Sequence, residues 1–265
     1  MKTPKINLFA LMIISVLMVF DIALYAQADT TKTVHLYILM GQSNMAGRGK
    51  ISDDYKNISH PRVLMLDKEL NWVLAKHPLH FDKPKVSGVG PGLAFAMKMA
   101  EENPNIIIGL IPCAVGGTSI NYWQPAAFDK ATQTHPYDDA LARIKAASSK
   151  GVFKGVIWHQ GEADSSPEKA STYANKLSVL VTRIREETQN NKLPWVIGEL
   201  GRYRENYQHI NKVLADIHQN IPFTAVANSK DLIHNGDNTH FDSKSANILG
   251  ERMAKKMIKL QKKIK

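Results

Sequence analysis

A serine in a glycine-flanked turn and an aspartate three residues before a histidine stand near opposite ends of this 265-residue chain. The serine, Ser43, follows an apolar run in the segment LYILMGQSNMAGRG, residues 36–49. Gly41 and Gly47 permit a sharp turn there, and Gln42 and Asn44 bring polar side chains to it as candidates for substrate contact. The second segment, DNTHFDS over residues 237–243, puts Asp237 within one turn of His240. An aspartate so placed fixes the imidazole tautomer and leaves the other ring nitrogen free as a base. Serine nucleophile, histidine base and aspartate orienter are the parts of an acyl-transfer site. Each piece alone is weak, because loop serines are commonly idle and Asp-x-x-His is often a helix cap.

Two intervening segments add the means to stabilise an oxyanion. IPCAVGGTS, residues 111–119, ends an apolar run in a glycine pair. The backbone N–H groups of Gly116 and Gly117 are candidate donors there, since glycine lets the chain approach a reacting group closely; a simple turn is the alternative. VIWHQGEAD, residues 156–164, turns abruptly polar at the end of an apolar run, which is costly to bury without a task. The Gln160 amide is a further candidate oxyanion donor. Glu162 is a candidate orienter of a histidine, with loop bracing and capping of the next helix as the alternative for Glu162 and Asp164. His159 has no second ligand at metal spacing, so no metal and no organic cofactor is expected. Cys113 reads as a small core residue.

The elements that must position these groups alternate. Apolar runs of strand length cover residues 34–40, 106–111, 155–159, 195–200 and 224–227. Helical periodicity covers 91–102, 137–147, 167–188, 205–219 and 243–263, with Pro91 and Pro167 in first turns. Continuous apolar strands separated by helices predict a parallel sheet of roughly five strands covered on both faces, a three-layer α/β/α sandwich. Residues 51–89 are poorly periodic and read as a long loop or small insertion. Ligands of such sheets bind beyond the carboxyl ends of the strands, so the four segments are expected to converge at one edge.

The bulk numbers agree with a globular chain: 44% hydrophobic and 22% charged residues, with no repeat. Lys2 and Lys5, an apolar stretch from Leu8 to Phe20, and small residues at Ala26 and Ala28 read as a secretory signal peptide over residues 1–28. Asp21 interrupts the apolar run, so no membrane association is expected after cleavage, and residues 29–265 are expected to form one domain. Cleavage removes two lysines and one aspartate and takes the formal charge from +10 to +9. The lysines of the last helix interleave with apolar residues as a solvated face does, and nothing resembles a nucleic-acid module. Export implies an oxidising compartment, secreted or periplasmic, but a single cysteine allows no internal disulfide.

The five blocks GQSNMAG (41–47), GPG (90–92), GGT (116–118), WHQGE (158–162) and DNTHF (237–241), in this order, resemble the SGNH (GDSL-like) hydrolase superfamily, flavodoxin-like in fold. Within it the chain is similar to the sialate O-acetylesterase and carbohydrate esterase family 6 group, which includes acetylxylan esterases. Gly-Gln-Ser stands for the superfamily's Gly-Asp-Ser, and His-Gln-Gly-Glu for its Gly-x-Asn-Asp. The resemblance implies a Ser43–His240–Asp237 triad and an oxyanion hole from the Ser43 N–H, a glycine N–H of the second block and the Gln160 side chain, with Glu162 a rival partner for His240. It implies an acetylated carbohydrate as substrate. Tyr122 and Trp123, just past the glycine pair, then become candidates to stack on a sugar, and Arg48 to contact its hydroxyls, with ordinary packing as the alternative. A lipid or general esterase would want a long apolar groove, which the polar, aromatic loops do not advertise. An inactive glycan-binding module would not need all three triad residues.

Overall fold

The computed structural model describes residues 33–264, so the segment read as a signal peptide lies outside the described residues. Seven strands build one sheet: β1 (Val34–Gly41), β2 (Val63–Leu66), β3 (Trp72–Leu74), β4 (Ile107–Pro112), β5 (Val152–His159), β6 (Trp195–Gly198) and β7 (Thr224–Ala227), in the order β3-β2-β4-β1-β5-β6-β7. All neighbours are parallel except β3, which runs antiparallel to β2 at one edge.

Nine helices accompany them among the described residues: α1 (Ser43–Ala46), α2 (Asp53–Lys56), α3 (Pro91–Glu102), α4 (Pro136–Ala147), α5 (Pro167–Ser171), α6 (Tyr173–Glu187), α7 (Tyr207–Ala215), α8 (Ile217–Asn220) and α9 (Ser243–Ile264). None is long and apolar enough to cross a membrane.

Alternation along β1 explains the layering. Leu36, Ile38 and Met40 face one core, shared with Ile144 of α4, Leu177 and Ile184 of α6, and Ile210 of α7. Tyr37 and Leu39 face the other, shared with Phe95 and Met99 of α3 and Leu249, Met253 and Met257 of α9. Because both faces of β1 are covered, the strand reads as a continuous apolar run.

The two strands beyond the expected five, β2 and β3, come from the aperiodic stretch of residues 51–89. At four and three residues they are too short to carry a pattern; pairing with β4 makes β2 a strand, and pairing with β2 makes β3 one. The helices expected over 167–188 and 205–219 are each interrupted, at Thr172 and Asp216, where ψ relaxes to −3° and 13°.

The order β4-β1-β5 makes β1 the switch point, with β4 on one side and β5 on the other. A crevice must open there, beyond the carboxyl ends of these three strands. Into it run the turn at Gln42–Ser43, the loop after Pro112 and the loop after His159.

Candidate active site

The end of β1 is tied to β5 before Ser43 is reached. Gln42 N–H donates to the His159 carbonyl at 2.9 Å, and Gly41 sits at φ +132°, where a Cβ would run into that same carbonyl oxygen. Only glycine satisfies both the left-handed backbone and the close approach. Ser43 then opens α1, a single helical turn, and its N–H finds no acceptor among the described residues.

His240 arrives from the loop after β7, 197 residues away, and its Nε2 lies 2.9 Å from Ser43 Oγ. Its Nδ1 lies 2.6 Å from Asp237 Oδ2, while Asp237 Oδ1 accepts the backbone N–H groups of Thr239 and His240, each at 2.8 Å. Partial burial works against the charged carboxyl. The His240 N–H and ring and the Thr239 N–H outweigh it and hold Asp237 below its ordinary pKa. A carboxylate only accepts, so Nδ1 carries the proton and the Ser43 hydroxyl donates to Nε2.

These three side chains open onto a cleft of about 740 Å³ also lined by Gln42, Arg48, Gly116, Gly117 and Glu162. Gly117, at φ +90°, lines the cleft and has an N–H with no acceptor among the described residues. Gly116 does not share that role: its N–H donates to Asp82 Oδ2 at 2.8 Å. The same carboxylate oxygen pairs with Arg48 Nη2 at 2.7 Å, and Arg48 Nη1 donates to the Gly47 carbonyl. Arg48 is therefore a brace behind the glycine turn, with little of its side chain left for a sugar. The charge of Arg48 and these hydrogen bonds overcome burial and lower the Asp82 pKa.

Gln160 is also placed differently from expectation. It is fully buried, and its Nε2 donates to Asp164 Oδ2, to the Thr118 carbonyl at 3.1 Å and to Gln42 Oε1 at 3.2 Å. The acceptor four residues along turns the amide inward, away from the cleft. Asp164 accepts also from Ser119 Oγ and Ile120 N–H, which joins the second and third blocks. Gln42 lines the cleft; its Oε1 faces Gln160, and its Nε2 has no acceptor among the described residues.

The remaining candidates divide by burial. Trp123 is core: its indole N–H donates to Thr118 Oγ1 and its ring meets Trp158 edge-on at 5.2 Å, so it offers no stacking face. Tyr122 closes the 3₁₀ turn of Ile120–Tyr122 outside the cleft lining. Asn44 is buried and makes protein contacts instead of facing ligand, with its Nδ2 donating to Glu162 Oε1 at 2.6 Å. Glu162 thus meets Asn44, and its Oε1 lies 3.5 Å from His159 Nδ1, whereas the His240 ring meets Asp237. Burial keeps the His159 pKa low.

The cleft has residues that local patterns did not single out. Tyr207 lines it with the Arg204 guanidinium 5.4 Å from its ring centre, and Lys83 and Asn235 belong to the same lining. Neither Lys83 nor Arg204 has a carboxylate partner among the described residues. For Asp82 the visible signal was its place two residues after His80 in an otherwise patternless stretch.

A mostly parallel sheet of this order, with serine, histidine and aspartate in one hydrogen-bonded line at its switch point, fits the framework of the SGNH-like ester hydrolases. Comparison with known proteins narrows the class. The chain belongs to the carbohydrate esterase, sialic acid-specific acetylesterase family, whose model matches residues 33–259, and is with it a carboxylic ester hydrolase. A probable carbohydrate esterase of Arabidopsis thaliana is 31% identical over 241 residues, 83% of this chain and 88% of that protein. An X-ray structure of a protein from the same plant has a TM-score of 0.75 at 28% identity, covering 86% of this chain and 98% of that one. The crystal structure of NanS has the same fold, with a TM-score of 0.71 at 19% identity over 88% of this chain and 98% of that one.

Proposed function

We propose that the protein is an exported serine esterase that removes O-acetyl groups from a glycan through an acetyl-serine intermediate. The observation that carries this reading is the line Asp237–His240–Ser43, with spacings of 2.6 and 2.9 Å, opening on a cleft. Ser43 Oγ attacks the acetyl carbonyl while His240 Nε2 takes its proton. The oxyanion forms against the Ser43 and Gly117 N–H groups, each good donor contributing about 3 kcal/mol. The Gln42 amide takes the side-chain place once expected of Gln160. His240 gives that proton to the departing sugar oxygen, then takes one from the attacking water and passes it to Ser43 Oγ as acetate leaves.

Acetylated xylan or a related neutral glycan is one substrate class. Lys83 and Arg204, cations without carboxylate partners on the cleft wall, favour a second reading: an O-acetylated acidic sugar such as sialic acid. Acetate release from acetylated xylan and from O-acetylated sialic acid, measured with wild type and Ser43→Ala, tests both. Unchanged release in the variant overturns the nucleophile assignment, and the preferred substrate separates the readings. Export rests on the leader-like residues 1–28; an N-terminus still at Met1 in protein recovered from the producing cells would overturn it.

A further inference from the structure

The reading above needs Ser43 and His240 in register, yet they belong to a strand-borne turn and a loop 197 residues apart. The residue next to Ser43 bridges that gap. Asn44 Nδ2 donates to the Thr239 carbonyl at 3.0 Å, and Asn44 Oδ1 accepts the Phe241 N–H at 3.0 Å. One side chain thus grips the backbone immediately before and immediately after His240. Its second Nδ2 hydrogen goes to Glu162 Oε1 at 2.6 Å, at the start of the loop that follows β5. Three of the four hydrogen-bonding positions of the amide are filled, and the side chain is buried.

We propose that Asn44, oriented by Glu162, is a positioning residue that holds the histidine loop at hydrogen-bonding distance from Ser43. The inference rests on the serine-esterase reading for its kinetic consequence, though not for its structural one. The other ties of the loop are different in kind. Asp237 Oδ1 accepts from within the loop, Asn235 N–H donates to the His240 carbonyl, and Tyr203 Oη donates to the Thr239 carbonyl. Asn235 Nδ2 reaches the Arg48 carbonyl at 3.3 Å, beyond the helical turn that carries the serine. Asn44 alone joins the residue beside the nucleophile to both neighbours of the base.

The assignment gives Glu162 a definite duty. It serves as an acceptor for an amide proton, a task that a glutamine oxygen performs equally well. Were the Glu162 charge required at the imidazole of His240, glutamine would fail.

The test uses the full chain carrying Asn44→Ala, Glu162→Ala, Glu162→Gln or both alanines, with two readouts. The first is kcat and KM for acetate release. Loss of register by an ångström costs on the order of 10²-fold in rate. Asn44→Ala is therefore expected to lower kcat about 10²-fold with KM changed less than about three-fold, and Glu162→Ala to lower kcat about ten-fold. Glu162→Gln should restore most of that loss, and the double variant should be no worse than Asn44→Ala, because both residues serve one contact. The second readout is amide hydrogen exchange at Phe241, which should speed up in Asn44→Ala and stay unchanged in Ser43→Ala.

Unchanged exchange at Phe241, a KM effect in place of a kcat effect, or a Glu162→Gln variant as poor as Glu162→Ala each overturns the proposal. If Asn44→Ala does not fold, the Glu162 pair still decides. If wild type releases no acetate from any acetylated glycan, the function fails while exchange at Phe241 still judges the clamp.

Discussion

The two halves of the site are built by opposite means. The serine turn continues a central strand buried at all but one position: Ser43 is 6% exposed, and its backbone is set by β1, by the β5 carbonyl against Gly41 and by one helical turn. The aspartate–histidine loop lies at the surface, with side-chain exposures of 45% for Asp237 and 23% for His240, and it shapes itself through an Asp237 side chain that accepts its own backbone N–H groups. The sheet imposes one geometry, whereas the other is local and has to be referred to the sheet through contacts such as that of Asn44. A site assembled this way concentrates precision at the serine and leaves adjustability at the histidine.

Substitutions can break that contrast, and the largest effect belongs to the sheet-borne half. Ser43→Ala is expected to lower acetate release by about 10⁴-fold or more with an unchanged melting temperature. A melting point shifted by several degrees would show that the hydroxyl supports the fold. Asp237→Ala should lower kcat about 10³-fold, less than the serine, because the loop keeps its Tyr203, Asn235 and Asn44 ties. A loss equal to that of Ser43→Ala would mean that the loop has no support of its own.

Gly41→Ala attacks the sheet-borne half through its backbone. With φ at +132° and the His159 carbonyl in the way, it should cost about 3 kcal/mol in denaturant unfolding. A variant with wild-type stability would show that the junction of β1 and β5 is soft.

Acid should separate the interior from the loop. Burial lowers His77 from 6.5 to about 4, and His159 is lowered in the same way. The unfolded chain therefore binds more protons than the native one below pH 6.5, and stability falls as pH drops. His77 alone accounts for about 2 kcal/mol between pH 7 and 5, at about 1.4 kcal/mol per pH unit once its unfolded form titrates. Asp237, lowered below the usual carboxylate value, stays charged across that window and its contribution is lost only in stronger acid. Equilibrium unfolding that is flat from pH 7 to 5 would contradict this division.

The smallest effect sharpens the substrate side. Lys83→Ala and Arg204→Ala should each raise KM about five-fold for an acidic acetylated sugar and leave a neutral one unchanged, the difference shrinking with added salt.

The contrast also explains what could be read from residues alone. Strands β1, β4, β5 and β6 were visible because burial makes them largely apolar, the edge strand β7 because its short run is apolar too, and Asp237 and His240 because their partnership is written at a spacing of three. The β2–β3 hairpin was invisible, since three or four residues carry no periodicity and the pairing of β2 with β4 is tertiary. Gln160 and Trp123 were assigned to the cleft because a polar or aromatic residue after a strand can turn either way. Asp164 and Thr118 decide the direction, and no local pattern encodes them. Asp82 was missed as the brace of the glycine turn for the same reason: its partners Arg48 and Gly116 each lie 34 residues away, on opposite sides.

The span between Ser43 and His240 also orders events in time. The turn that carries the serine is among the first segments of the sheet to be made, while the histidine directly precedes α9, whose Gly250 packs against the Pro91 carbonyl of α3. Closing so long a loop is entropically slow, and part of what rewards it is the docking of α9. A growing chain therefore carries the Ser43 hydroxyl without its imidazole partner until the loop after β7 has been made. Pairing of the two halves is therefore a late event in synthesis, and a chain cut anywhere before residue 240 lacks the imidazole that meets Ser43.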